Sequence, residues 1–586
     1  MSETPARAAA PELPPYRELT VAAAVFGVII GAVMTAAFTY VALKLGFTLP
    51  GSTVAAILGF AVLRGLLKKG SIVENNINQT IASGVNNASA GVAFTFPALF
   101  LLGEDFSVVP VLLSAIGGSF LGIVFIIPLR KQMIEFERLR FPSGIAVASL
   151  LKSPGAGLRQ AQLLGGGFLV GCLFHVAAFV GVIPEEISLN HAFGIPEYIP
   201  LAFGISFASL GAGLLSGKGG LPFVFGGMLA WWVIAPFAVG FGGVPSPEAL
   251  GFASEPGGWE SWATWPVLYS SMLRPLGIGV LIGGALSGVI ASFPALKSAI
   301  GSLAKSTKTA GTGGESDELP LQVLIGGIIA ALVVLFVAAQ LAGDLTLVQS
   351  LLVSVIGTIW LGLAGLIVAQ ATGMTDISPI SGMSLIGVTI MFFLAGGGEG
   401  AAVPAIILGV AVSIGIGQCA DMMSDLKSGH LVGATPKRQQ MAQFAVAWMG
   451  VPVAVGVIYL LWGGGGGFGP ENPDLSAPQG AALAEVIASL GQGAAPLDKY
   501  VAGTAVGLGL GIFPVAGLGV LVGLAMYLPF YITVTYGIGA FTSIALQKRF
   551  GAKWMGTTLV PVAAGFIIGE ALTSLGYVLL QLAFGA

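Results

Sequence analysis

The sequence predicts an all-α polytopic membrane protein of about sixteen transmembrane helices, about eight in each of two halves, with discontinuous or re-entrant elements among them. Three observations predict it. Of 586 residues, 55% are hydrophobic and 9% charged, whereas a soluble globular chain carries roughly 25% charged residues. Apolar runs long enough to cross the hydrocarbon core, about 20 residues at ~1.5 Å rise each, recur from Thr20 to the C-terminus. The chain also holds 89 glycines, small residues that let helix backbones close on one another in lipid. Small-xxx-small spacing at Gly27/Gly31, Gly118/Gly122, Gly519/Gly523 and Gly565/Gly569 fits tightly packed helices.

Taken in order, residues 1–19 are polar and Pro-rich and lack the apolar region and cleavage site of a signal peptide, so they read as a disordered cytosolic tail. The first transmembrane half, 20–296, contains apolar elements at 20–44, 50–67, 76–102, 107–128, 158–182, 198–215, 220–240 and 267–292. A polar cytosolic linker at 297–319 follows. The second half, 320–586, contains elements at 320–341, 346–370, 378–396, 401–418, 437–462, 498–512, 514–546 and 556–584. The stretch FPSGIAVASLLKSPG, residues 141–155, is too short to cross and too apolar for a loop. It reads as a re-entrant half-helix or an interfacial helix. The halves share a faint repeat, LRQAQLLGGGFLVG against KRQQMAQFAVAWMG.

Lys and Arg gather on one side when alternate loops are followed. Arg64, Lys68 and Lys69, the segment RKQMIEFERLR, the linker and DLKSGHLVGATPKRQQ all fall there, which places the N-terminus in the cytosol. The segment QKRFGAK, 547–553, conflicts with a strict count. A re-entrant hairpin over 514–546 bent at Pro529 removes the conflict and moves the C-terminus to the other side.

Amide side chains are the least expected feature. On a helix, Asn75, Asn76, Gln79, Thr80, Ser83, Asn86 and Asn87 fall within an arc of roughly 140°. Such groups cannot face lipid without a cost of several kcal/mol each. The expectation is a solvated cavity wall that binds substrate; the alternative is hydrogen bonding between helices. Glu570 lies mid-span with Thr573 and Ser574 one turn on, and an ionisable group there suits proton uptake and release; a structural carboxyl is the alternative. Thr375, Asp376, Ser378 and Ser381 surround a Gly/Pro break, where unwound backbone at membrane depth lines cavities. An exposed loop is the alternative there. Asp421 and Asp425 sit four apart on one helical face near a basic loop, which suits a gate, a coupling site or surface pairing. Tyr527 and Tyr531 flank Pro529 and could stack on and hydrogen-bond an organic solute or belong to an interfacial belt. His175 reads as a satisfied interior histidine.

Some classes lose support. GLLSGKGG is one residue short of a phosphate-binding loop, and HExxH, GxSxG and CxxC do not occur. No enzyme activity, cofactor or protein-held metal is expected, and Cys172 with Cys419 implies neither a disulfide framework nor a metal cage. No nucleic-acid partner is expected at a net charge of −3.

Together FTFPALFLLG after the Gln79–Thr80 region, RFPSGIAVASLL, ISPISGM, SDLKSGHLVGATPKRQQMAQ, GLAMYLPFYI and the late span with Glu570 resemble the oligopeptide transporter (OPT) family. The resemblance is to its bacterial branch, related to the plant yellow stripe-like metal-chelate transporters. It implies a fold of about sixteen helices and secondary active, usually proton-coupled, import of small peptides, peptide-like solutes or metal-chelate complexes by alternating access. A metal would then arrive only as part of a chelate, with the proton gradient as driving force. A bacterial inner (plasma) membrane location is implied, and a homo-oligomer is compatible with it. The pair Asn86–Asn87 departs from the family pattern, so substrate preference need not follow any relative. A passive channel is the competing reading.

Overall fold

A computed structural model describes residues 18–46, 51–60, 62–63, 70–152, 156–184, 186–196, 199–240, 268–284, 286–288, 290, 318–375, 378, 380–398, 400–464, 466–469, 472, 475–492, 497–513 and 518–584. Among these, nine helical stretches are long and apolar enough to cross a membrane. A tenth is the pair Pro436–Val446 and Gly450–Gly464, bent by 40° at its break. Nine is a lower bound on crossings. The stretch Phe530–Leu580 is 51 residues long, about 77 Å if straight, and turns at Gly551, whose φ is 80°. The protein is a multi-pass helical membrane protein.

Helix Ala402–Val432 is the centre of the fold. Its apolar window is wholly buried, as expected of a helix apolar on every side. It is enclosed by Val108–Ile126, Leu347–Thr375, Ile380–Leu394, Ile72–Asn86, Ala88–Thr95 and Pro142–Lys152. Glycine makes the closest of these crossings possible. A Cβ on Gly118 would overlap the Ala411 backbone, and one on Gly122 would overlap Gly415. Gly565 and Gly569 likewise face the backbone of Leu164 and Phe168, and Gly27/Gly31 and Gly519/Gly523 also lie at crossings. Outer helices such as Gln322–Ala342 bury only 28% of their window and turn Val, Ile and Leu outward.

The contacts fix which ends share a side. Asn76 meets Ser428 while Asn87 meets Ile414, so Ile72–Asn86 runs antiparallel to Ala402–Val432. Ser114 meets Ile407 while Gly122 meets Cys419, so Val108–Ile126 runs parallel to it and brings Arg130 to the end where Arg438 lies. Helices Ala156–Phe179 and Val560–Phe584 are parallel, since Leu164 faces Gly565 and His175 faces Ser574. The far end of Gly450–Gly464 packs on Val578 and Leu582. The last helix therefore ends on the side away from Arg130 and Arg438, and QKRFGAK lies on their side. The charge conflict in the sequence disappears. Its remedy also holds in part: the 514–546 element breaks at Pro529 into Leu518–Tyr527 and Phe530–Trp554.

Several boundaries differ from the sequence reading. The 76–102 element starts at Ile72, where Ser71 and Glu74 form a capping box. Residues 198–240 begin with the strand Ala202–Gly204, paired antiparallel with Glu186–Ser188, and continue as one stretch broken at Gly217. The 401–418 element extends to Val432, so Asp421 and Asp425 are not on a surface loop. Helix Pro478–Gln492 had no counterpart in the reading. The 141–155 stretch is an 11-residue helix, about 16 Å long, packed through Val147 and Leu151 onto Ala56. The tail up to residue 17 and linker residues 297–317 lie outside the described residues. Glu18 accepts hydrogen bonds from Thr435 N–H at 3.1 Å and Oγ1 at 2.8 Å, and Glu318 pairs with Arg130 at 2.7 Å.

Candidate functional site

The amide face is buried, and it points at protein. Asn75, Asn76, Gln79, Thr80 and Ser83 are at most 3% exposed. Their hub is Asp425, whose carboxyl oxygens accept from Ser52 Oγ at 2.9 Å, from Gln79 Nε2, and from Gln443 Nε2 at 2.9 Å. Asn76 donates to Ser428 Oγ at 2.8 Å, and Gln439 donates to Thr80 Oγ1 at 2.9 Å. Ser83 and Ser52 hydroxyls lie 3.1 Å apart. The water-lined wall expected over this part of the helix is therefore, in this conformation, a seam between helices. The physical reason is supply: Asp425, Ser428 and Gln439 offer protein partners to Gln79, to Asn76 Nδ2 and to Thr80, while Asn76 Oδ1, Gln439 Oε1 and Gln443 Oε1 have none. Asn75 keeps both polar side-chain atoms unpartnered.

The far end of the same face opens. Asn86 and Asn87 line a cavity of about 40 Å³ with Asp421, Ser378, Ser89 and Phe38. At about 10–15 Å³ per water, it has room for about three or four waters and for no organic solute. Asn87, at the break between two helices, donates to Ile414 O at 3.1 Å. Ser378 shares a 2.7 Å hydrogen bond with Thr372. Asp376 and the side chain of Thr375 lie outside the described residues. Ser381 sits apart from these groups, at a cavity of about 20 Å³ with Thr95 and Gln479.

A larger space lies across helix Val21–Leu45. Phe38, Val41 and Ala42 face the small cavity, whereas Tyr40 and Lys44, one turn apart, face a cavity of about 440 Å³. Lys44 Nζ lies 2.9 Å from Glu570 Oε1, and both residues are buried. Removing each ion from water costs several kcal/mol, and further donors offset that cost. Glu570 accepts from Ser206 Oγ at 3.0 Å and from Ala208 N–H at 2.9 Å. Those groups form the N-terminus of helix Phe207–Ser216, where the helix dipole favours an anion. Ser574, one turn from Glu570, bonds His175 Nε2 at 2.7 Å. Tyr531, Thr535, Tyr577, His175 and Asn472 complete the wall.

Tyr531 thus joins Glu570 and Tyr527 does not. Pro529 turns the chain so that Tyr527 packs edge-on against Tyr269 and beneath the Arg274 guanidinium, which pairs with Glu485 at 2.7 Å. Sequence reasoning missed Lys44, Ser206, Gln439 and Gln443. Lys44 carried a signal, as a lone cation inside TYVALKLGF; the glutamines carried none, since PKRQQ reads as an aqueous loop. Among the described residues, no three His, Cys, Asp or Glu side chains are placed to hold a metal.

The model of the family described as "OPT oligopeptide transporter protein" matches residues 18–581. The chain is 27% identical to a "Putative oligopeptide transporter" of Haemophilus influenzae over 91% of each chain. It is 25% identical to the "Metal-nicotianamine transporter YSL2" of Arabidopsis thaliana, over 97% of this chain and 94% of that one.

Proposed function

The chain belongs to the OPT oligopeptide transporter family, and from that premise we propose that it is a proton-coupled symporter importing small peptides, peptide-like solutes or metal-chelate complexes by alternating access. The observation that carries the reading is the buried pair of Glu570 with Lys44, which lines a cavity of about 440 Å³. That volume falls in the range of small-molecule sites, about 300–1,000 Å³, and an ionisable pair at membrane depth is costly unless it works. Glu570 carries the proton. Tyr531 and Tyr577 supply faces for an organic solute.

The cavity lies at the end of Val21–Leu45 away from Arg130 and Arg438. By the excess of positive charge, that basic end is cytosolic, so the cavity faces outward across a bacterial-type plasma membrane and the N-terminus is inside. Between cavity and cytosol stands the Asp425 seam. In the inward-facing state the seam parts, and Asn76, Gln79, Thr80 and Ser83 line the exit path with Asn86, Asn87, Ser378 and Asp421. A metal travels within a chelate, as the name of the plant relative suggests for that protein.

The test is uptake by proteoliposomes of trialanine and of an iron–nicotianamine complex, with an imposed inward proton gradient and with the gradient collapsed. Accumulation above the bath concentration that depends on the gradient supports symport. Equilibration indifferent to the gradient indicates a channel, and uptake of neither probe removes the substrate assignment.

A further inference from the structure

We infer that Lys44 is the anchor for a carboxylate on the transported solute, exchanging Glu570 for that carboxylate when Glu570 takes up a proton. The inference rests on the symport reading and names the chemistry the site selects.

The geometry is asymmetric in a way that permits exchange. Glu570 is held from three directions, by Lys44, by Ser206 Oγ and by the Ala208 N–H. It keeps the last two partners if Lys44 swings away. Lys44 ends in a flexible stem with three donors on the cavity wall beside the Tyr40 ring, 5.9 Å from its centroid. An incoming carboxylate can meet Lys44 from the cavity side, where the residue forms part of the wall.

Charge decides the stoichiometry. The resting pair is neutral, one ammonium against one carboxylate. A solute carboxylate added to it leaves one negative charge uncompensated in a low-dielectric enclosure, a cost of several kcal/mol. One proton from cavity water onto Glu570 removes that excess: the acid becomes neutral, and Lys44 pairs with the solute instead. The protonated carboxyl can donate to Ser206 Oγ, which lines the cavity, while still accepting from Ala208 N–H. One proton enters with each carboxylate held.

The titratable groups around the Lys44–Glu570 pair and the cavity beside it are few among the described residues. Helix Val21–Leu45 offers Lys44 and Tyr40, Ala156–Phe179 offers His175, Phe530–Trp554 offers Tyr531, and its own helix offers Tyr577. Phe207–Ser216 gives only backbone and hydroxyl donors, and Gly450–Gly464 carries no charged residue. His175 bonds Ser574 through Nε2, and Lys44 is the cation in direct contact with the Glu570 carboxylate.

The experiment compares N-acetyl-trialanine, which carries one negative charge, with its neutral C-terminal amide, so that only the carboxylate and its charge are removed. Binding to the purified full-length protein is measured by calorimetry in buffers of different ionisation enthalpy, which reports protons taken up. Wild type is expected to bind the acid about tenfold or more tightly than the amide, the worth of one charge-assisted contact, with about one proton taken up. Lys44→Arg keeps the discrimination. The double variant Lys44→Gln/Glu570→Gln, which leaves no lone buried charge to unfold it, binds acid and amide alike and takes up no proton. Equal binding of acid and amide by wild type, or discrimination retained by the double variant, overturns the anchor. Wild-type uptake of acid and amide with the same half-saturating concentration would overturn it while leaving transport intact. Binding of neither probe, with no uptake of iron–nicotianamine, removes anchor and transport reading together.

Discussion

Asp425 gathers donors from three separate segments, Ser52, Gln79 and Gln443, and its removal strands all three in a dry seam. A stranded buried donor costs about 1–3 kcal/mol, so Asp425→Ala lowers the thermal unfolding midpoint in detergent by much more than Asp425→Asn, which keeps an acceptor oxygen. Equal midpoints for the two variants would mean that the seam is not held through this side chain. Glu570 was legible at this scale as a buried, partnered acid, because its carboxyl stands within a long apolar run. Its partner was not, although Lys44 obeys the same rule, because the two lie 526 residues apart in the chain and nothing local ties them. Asp425 was half legible: its place near a basic loop was correct, but its burial depends on partners from separate segments, Ser52, Gln79 and Gln443, that nothing local in the sequence ties to it.

Helix crossings depend on where glycine stands, and neighbours on one helix separate the cases. On Ala156–Phe179, a Cβ at Gly167 would overlap the carbonyl of Val562, whereas nothing lies within 4 Å of one at Gly166. Gly167→Val is therefore expected to destabilise the protein by about 1–3 kcal/mol, the usual cost of overpacking, and Gly166→Val to leave the melting profile almost unchanged. Similar profiles for both would contradict the packing of this helix on Val560–Phe584. Elements defined by long apolar runs, such as Val108–Ile126, were readable within a few residues, and so was the break at Pro529. Pro478–Gln492 was not, because its alanines and Glu485 lower its hydropathy below a span's. Ala402–Val432 was cut short because its acids and Lys427 resemble a membrane exit until other helices cover them.

At the scale of the whole molecule, the proposed alternating-access cycle assigns a large cavity on one side and a hydrogen-bonded seam on the other to one end state. The seam can be locked. With Cys172 and Cys419 replaced by Ser, Asn76→Cys and Ser428→Cys place two thiols where a 2.8 Å hydrogen bond now joins the side chains. Oxidation should stop uptake and reduction restore it; unchanged uptake in the oxidised protein would mean that the seam never parts. Two helix sets packed across one another, Val108–Ile126 on Ala402–Val432 and Ala156–Phe179 on Val560–Phe584, were invisible in a sequence whose repeat is faint, since pairing between distant helices leaves no local pattern. The most direct measurement of the account is the pH inside proteoliposomes when trialanine is added outside under an inward proton gradient. Wild type is predicted to acidify the lumen in step with trialanine entry, and a monodisperse Glu570→Gln protein to lose that acidification. Trialanine entry without acidification in wild type, or full acidification through Glu570→Gln, would contradict it.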